Sequence, residues 1–226
     1  MHGSRLIPGS LAAVAGLASL ANADVIRGQA MLTGQVTTGG TCSFANYTLP
    51  RDIYGVGIGG GNWAGGGKCG SCLDVFGPGG SARVMIVDSC TSCANNRLNL
   101  FSDAFRRIAG TDQGGIIDVE FDVVSCDIDE PIVVRNKVGT SRYHFSLQVL
   151  NANLPITALH VSTDGGQNWE ETVRREYNFF ERATGQSGGF SADRVMVRVS
   201  CSNGRRVILP EVSAAELVVT RAPTNC

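Results

Sequence analysis

Lysine is nearly missing from this chain: Lys68 and Lys137 are the only two. With 19 Lys and Arg against 20 Asp and Glu, the formal net charge is −1, and the cations form no basic stripe. Nucleic-acid binding draws its affinity from clustered cations over phosphates, so that class is excluded. The near balance also predicts little reliance on the carboxylates of acidic polysaccharides and only mild salt sensitivity. Long apolar runs are scarce too. Leu6–Leu20 is the one extended apolar stretch, short of the ~20 residues that span a bilayer, so no membrane segment is expected.

That stretch follows Arg5 and precedes Ala21-Asn22-Ala23, a small-x-small cleavage site. Residues 1–23 therefore predict a secretory signal peptide, and the mature chain is expected outside the cell. Export changes the reading of the cysteines. Cys69-Gly-Ser-Cys72 and Cys90-Thr-Ser-Cys93 would suggest a zinc ribbon in a reducing compartment, whereas eight cysteines in an exported chain predict disulfides and no metal. Cys69 and Cys72 lack the βαβ surroundings of a thioredoxin-like redox pair. Asn46-Tyr47-Thr48 is a glycosylation sequon, relevant where the host is a eukaryote.

Twenty-nine glycines and few helix-periodic stretches predict a mainly β protein. Gly55 to Gly70 is so glycine-rich that it reads as loop, and without a following Lys-Ser/Thr pair or helix it is no phosphate cradle. Leu73–Phe76 and Arg83–Val87 read as strands joined by the turn Gly77-Pro78-Gly79-Gly80. One helix is expected, Ser102 to Ala109, capped by Ser102, with Phe105 and Ile108 as its apolar stripe and Gly110 as its stop. Gly115–Val124 alternates as a strand. After the acidic linker at 127–131, strands recur at the spacing of a β-sandwich: 132–136, 143–150, 158–162, 169–173, 194–200 and 206–209. Cys201 and Cys226, alone in this half, are expected to pair. The reading is three segments: 1–23, 24–128 and 129–226.

Four stretches, in order, carry a family resemblance: Gly34-Gln35-Val36-Thr37, Val87-Asp88-Ser89-Cys90, Leu98-Asn99-Leu100-Phe101-Ser102-Asp103-Ala104-Phe105, and Ser141-Arg142-Tyr143-His144-Phe145-Ser146-Leu147-Gln148-Val149-Leu150-Asn151. With the cysteines and the leader, the chain resembles an expansin, closer to the short microbial forms than to the plant ones. The resemblance implies an N-terminal six-stranded double-psi β-barrel, akin to family-45 endoglucanases. It also implies a C-terminal immunoglobulin-like β-sandwich, a family-63 carbohydrate-binding module. By the same resemblance the first six cysteines pair as Cys42–Cys69 and Cys72–Cys126, leaving Cys90–Cys93 as a local clip. Six cysteines alone allow fifteen pairings.

The resemblance implies a non-hydrolytic protein, without cofactor, that loosens wall polysaccharide such as cellulose, xyloglucan or another β-glucan, or chitin, and acts as a monomer. Glycan cleavage needs two carboxyl groups, one of them a proton donor. Expansins keep the acid-like Asp and lack the base, and here the acid-like position is Asn99, an amide that hydrogen-bonds sugars but delivers no proton. Asp88 is then the groove carboxylate, with Asp103 as an alternative, and Thr37 a groove hydroxyl. Cys90 replaces a tyrosine of bacterial members. In the second half the aromatic platform maps onto Tyr143, His144 and Tyr177, flanked by Lys137; Trp63 is a further stacking candidate, while Trp169 reads as packed. Two other functions stay open: a binding-only, barwin-like wall module, and a weak glycan-cleaving enzyme on the same barrel.

Overall fold

A computed structural model of the chain describes residues 25–34, 40–183 and 188–226. The protein is mainly β. Its first part is a closed barrel of six strands: β1 (Ile26–Thr33), β2 (Ile53–Gly59), β3 (Cys72–Gly77), β4 (Gly80–Cys90), β5 (Arg97–Phe101) and β6 (Ile116–Val124). Around the barrel they run β1-β5-β2-β4-β3-β6, with β1–β5 and β2–β4 parallel and the other pairs antiparallel. Closure leaves no unpaired strand edge. Val56, Val75, Val84, Ile86, Leu98, Leu100 and Phe121 fill the interior.

The one α-helix among the described residues, α1 (Ser102–Ala109), buries Ala104, Phe105 and Ile108 and ends at Gly110, whose φ of 72° suits glycine. Ser102 is its first helical residue and not its cap. The cap position is extended Phe101, still paired with Thr33, because β5 runs straight into the helix. Asp103 occupies the exposed first turn beside Arg106.

The glycine-rich stretch is the larger surprise: its first part, expected as loop, is barrel strand β2. Neighbours press so close that little but hydrogen fits. A Cβ on Gly55 would sit 2.2 Å from the Phe101 ring, and one on Gly59 2.2 Å from the Ala94 carbonyl oxygen. Strand propensity does not register this constraint. Trp63, expected as a stacking surface, is 9% exposed and packs into the barrel core.

The second part contains β7 (Val133–Asn136), β8 (Ser146–Leu150), β9 (Ile156–Ser162), β10 (Glu170–Arg174), β11 (Phe180–Arg182), β12 (Arg194–Cys201), β13 (Arg206–Ser213) and β14 (Val219–Arg221). β10 pairs with β9 through Glu170 and Glu171, then with β11 through Thr172–Arg174, and so passes from one layer of the sandwich to the other. Phe145, Leu147 and Phe180 of one layer share a core with Leu159, Val161, Val197 and Leu209 of the other. The three-residue strands β11 and β14 have no alternating signature long enough to read. Four disulfides are present, Cys42–Cys69, Cys72–Cys126, Cys90–Cys93 and Cys201–Cys226.

The two parts meet at a polar seam. Arg174, at the end of β10, spends all five of its N–H donors there. Nη1 donates to the carbonyls of Gly67 (3.0 Å) and Ile156 (3.1 Å), Nη2 to Cys69 O (3.2 Å) and Asn178 Oδ1 (2.7 Å), and Nε to Asn178 Oδ1 (3.1 Å). Its ring partner is Phe180, 5.1 Å away. Among the described residues no carboxylate pairs with it, and burial pulls its pKa down to about 10. The Cys42 carbonyl accepts from Gln148 Nε2 (2.8 Å) and Asn178 Nδ2 (3.2 Å), and Arg135 donates to Ser43 O and Ala45 O.

Candidate functional site

Three neighbouring strands bring two of the predicted groove residues, Asp88 and Asn99, into one row. Gly57 of β2 is in register with Asp88 of β4 on one side and with Asn99 of β5 on the other. Leu98 and Leu100 point into the barrel, so Asn99 faces outward. A Cβ on Gly57 would lie 3.4 Å from the Asn99 Cβ and 3.6 Å from the Asp88 Cβ. The glycine is therefore a bare floor between a carboxylate and an amide.

Asp88 is held from one side. Its Oδ1 accepts from the Thr41 backbone N–H (2.7 Å), the Thr41 hydroxyl (2.7 Å) and the Ser89 N–H (2.9 Å). All three bonds fall on one oxygen, and no bond from another described residue falls on Oδ2. Thr41 was not anticipated; its signal would have been the left-handed Gly40, which packs its backbone against Asp88. The Cys90–Cys93 clip closes the row, with the Cys93 sulfur 3.6 Å from Asn99 Oδ1. Thr37 lies outside the described residues, as do residues 1–24. Asp103, on the exposed turn of α1, is no member of this row.

In the second part, Ser141 and His144 form an isolated bridge, so Arg142 and Tyr143 make a tight turn in place of the expected strand start. In a regular strand Tyr143 and His144 would face opposite sides; with the turn, Tyr143 (72% exposed) and His144 both reach solvent while Phe145 is buried. Arg142 lies 5.6 Å from the Tyr143 ring. Lys137 Nζ stands 4.4 Å over the Tyr177 ring, which places those two predicted residues together. Tyr177 donates to Glu181 Oε1 (2.7 Å), which also accepts from Ser146 Oγ; Oε2 takes Arg175 Nε (2.9 Å). Burial pushes the Glu181 carboxyl up, but these three bonds outweigh it and hold the group below the usual carboxylate range. Burial and the same bond raise the Tyr177 phenol above its ordinary value. Glu181 thus anchors Tyr177. Among the described residues no group of three or more His, Cys, Asp or Glu is placed to hold a metal.

A closed six-stranded barrel with a glycine-floored polar row, joined to a β-sandwich with exposed tyrosines, defines a distinct class of two-part β protein. The chain is 32% identical over 167 residues to Expansin-YoaJ of Bacillus subtilis, covering 72% of this chain and 70% of that protein. It is 29% identical over 174 residues to expansin-like protein 7 of Dictyostelium discoideum, 70% of this chain but 30% of that longer protein. The crystal structure of apo Clavibacter michiganensis expansin superimposes with a TM-score of 0.78 at 28% identity, covering 89% of this chain and 97% of the other. An aspartate-to-asparagine mutant of that protein, solved with cellohexaose, matches at the same TM-score and 30% identity, with the same coverage. No family model matches. The chain belongs to the expansin family.

Proposed function

We propose that the chain is a secreted, monomeric protein that binds cellulose or a related β-glucan and loosens it without cutting. The barrel, residues 24–128, grips one chain at the Asp88–Gly57–Asn99 row, and the sandwich, 129–226, holds polymer on Tyr143, His144 and Tyr177. The observation that carries this reading is the amide opposite the carboxylate. Hydrolysis asks one group to protonate the leaving oxygen while another supplies base or nucleophile. Asp88 is the one carboxylate of the row, and Asn99 supplies hydrogen bonds in place of a proton. The complex of the Clavibacter mutant supports the idea that an expansin carrying an asparagine in place of an aspartate still takes cellohexaose.

The test is creep and breaking force of cellulose paper and wall strips with wild type, Asn99→Asp and Asp88→Ala, alongside assay of released reducing sugar. Loosening by wild type that Asp88→Ala removes, with no sugar released, is the expected result. Absence of loosening by wild type, restored by Asn99→Asp, makes the protein a binding module only. Sugar release by wild type overturns both.

A further inference from the structure

Phe76 is a large aromatic left half in solvent (51% exposed) on the outer wall of the barrel, and the Asp88 row makes no use of it. It sits on β3 opposite Ser81 of β4 and Glu120 of β6. To one side is a depression of about 250 Å³, shared with Tyr54, Asp74, Arg83 and Arg107. To the other is a more open one of about 570 Å³, bordered by Arg27, Asp118 and Glu120. The ring thus stands between two polar hollows, an arrangement suited to a chain passing over it.

The first hollow is pre-organised. Arg83 grips Asp74 through two parallel bonds, Nε to Oδ1 (2.8 Å) and Nη2 to Oδ2 (3.0 Å), and its remaining nitrogen reaches Asp127. Around this fixed wall, Tyr54, Asp52 and Ser81 line the hollow. Among the described residues Arg107 is engaged only through its Nε, with the Ser81 carbonyl, and its terminal nitrogens face no partner there. Two arginines face two aspartates, so the hollow has no net charge with which to select an anion. A lone ring is far short of the ~800 Å² per partner of a protein interface. An apolar ring face beside spare hydroxyl, carboxylate and guanidinium groups matches a neutral sugar, with C–H bonds on the ring and hydroxyls on the polar groups.

We propose that this wall is a second saccharide track, centred on Phe76, that takes a neutral β-glucan chain. It is separate from the row: Arg83 precedes Asp88 by five residues on β4, about 16 Å along the strand, and Phe76 lies on β3, beyond β4 from Gly57. The proposal rests on the reading of the protein as a β-glucan binder and extends it: one barrel holds two chains at once.

The experiment is titration of the ¹⁵N-labelled full chain with cellohexaose, following amide shifts of the groove set (Gly57, Asp88, Asn99) and the wall set (Tyr54, Phe76, Arg107). Both sets are expected to move. Phe76→Ala is expected to weaken the wall set's affinity ~10-fold, about 1.4 kcal/mol, and to leave the groove set titrating as before. Should that variant fail to fold, Arg107→Ala, an exposed helix change, makes the same test. Shifts confined to the groove overturn this proposal and leave the proposed function standing. Shifts confined to the wall support the track and overturn the groove reading. Silence from both sets overturns the two together, and a wall titration unchanged by either substitution overturns the role of Phe76.

Discussion

Replacing Arg174 by methionine removes the rivet of the seam while keeping a long side chain against Phe180. Four acceptors lose their donor: the carbonyls of Gly67, Cys69 and Ile156, and Asn178 Oδ1. At about 1.5 kcal/mol for each acceptor left bare, the loss is about 6 kcal/mol. Against it stands relief from burying an unbalanced cation. A pKa held at about 10 corresponds to a desolvation cost of about 3 kcal/mol at ~1.4 kcal/mol per pK unit. The net expectation is destabilisation of about 3 kcal/mol, concentrated at the seam. The two tryptophans report it, since Trp63 lies in the barrel core and Trp169 packs under Arg198 in the sandwich. In urea, wild-type variants retaining one tryptophan each should unfold at a common midpoint; with Arg174→Met the two midpoints should separate. Arg174→Lys keeps the charge but has only three donors for these acceptors, so it should also lose stability. Coincident, unshifted midpoints in Arg174→Met would refute the reasoning.

Other outcomes follow from single residues. Gly57→Ala places its Cβ at ordinary contact distance from Asn99 and Asp88, so its melting temperature should stay near wild type while cellohexaose affinity in calorimetry falls; Gly59→Ala, which meets a backbone oxygen at 2.2 Å, should lose about 2 kcal/mol or more. Thr41→Val removes one of the three bonds on Asp88 Oδ1 and should weaken cellohexaose binding several-fold, with little change in unfolding midpoint. Asp164, held down to about 2 by Asn168 and Ser162, has a folded pKa below its unfolded value. Its contribution is therefore full above the unfolded carboxylate range near 4 and lost as pH falls toward 2. The melting gap between wild type and Asp164→Ala should be open at pH 6 and closed near pH 2. Replacing both Cys201 and Cys226 by serine opens a loop whose ends are 25 residues apart and should cost ~3 kcal/mol in urea.

The helix at Ser102–Ala109 was legible because its stripe, acidic first turn and terminal glycine all agree. β2 was not, since its glycines answer to a ring and a carbonyl brought from β5 and the loop before it. The meeting of Asp88 with Asn99 runs through a third strand, and no spacing in the chain announces it. Exposure of both Tyr143 and His144 needed the tight turn closed by Ser141 and His144. Arg174 looks like any strand-end arginine; what sets it apart is the set of carbonyls around it, and these come from both halves of the fold.

The loop from Gly40 to Ala45 has two clients. Thr41 steadies Asp88, and the next carbonyls, Cys42 and Ser43, with Ala45 just beyond, take the bonds of Gln148, Asn178 and Arg135 from the sandwich. The Cys42–Cys69 bridge ties that loop to the segment Arg174 grips. The Asp88 row and the sandwich aromatics are therefore mounted on one strut. On the proposed function, tension from a polymer lying on Tyr177 would reach Asp88 through two peptide-linked pairs, Tyr177-Asn178 and Thr41-Cys42, and two hydrogen bonds, Asn178 to the Cys42 carbonyl and Thr41 to Asp88. The two surfaces would then act as the jaws of one tool rather than as two anchors on a tether.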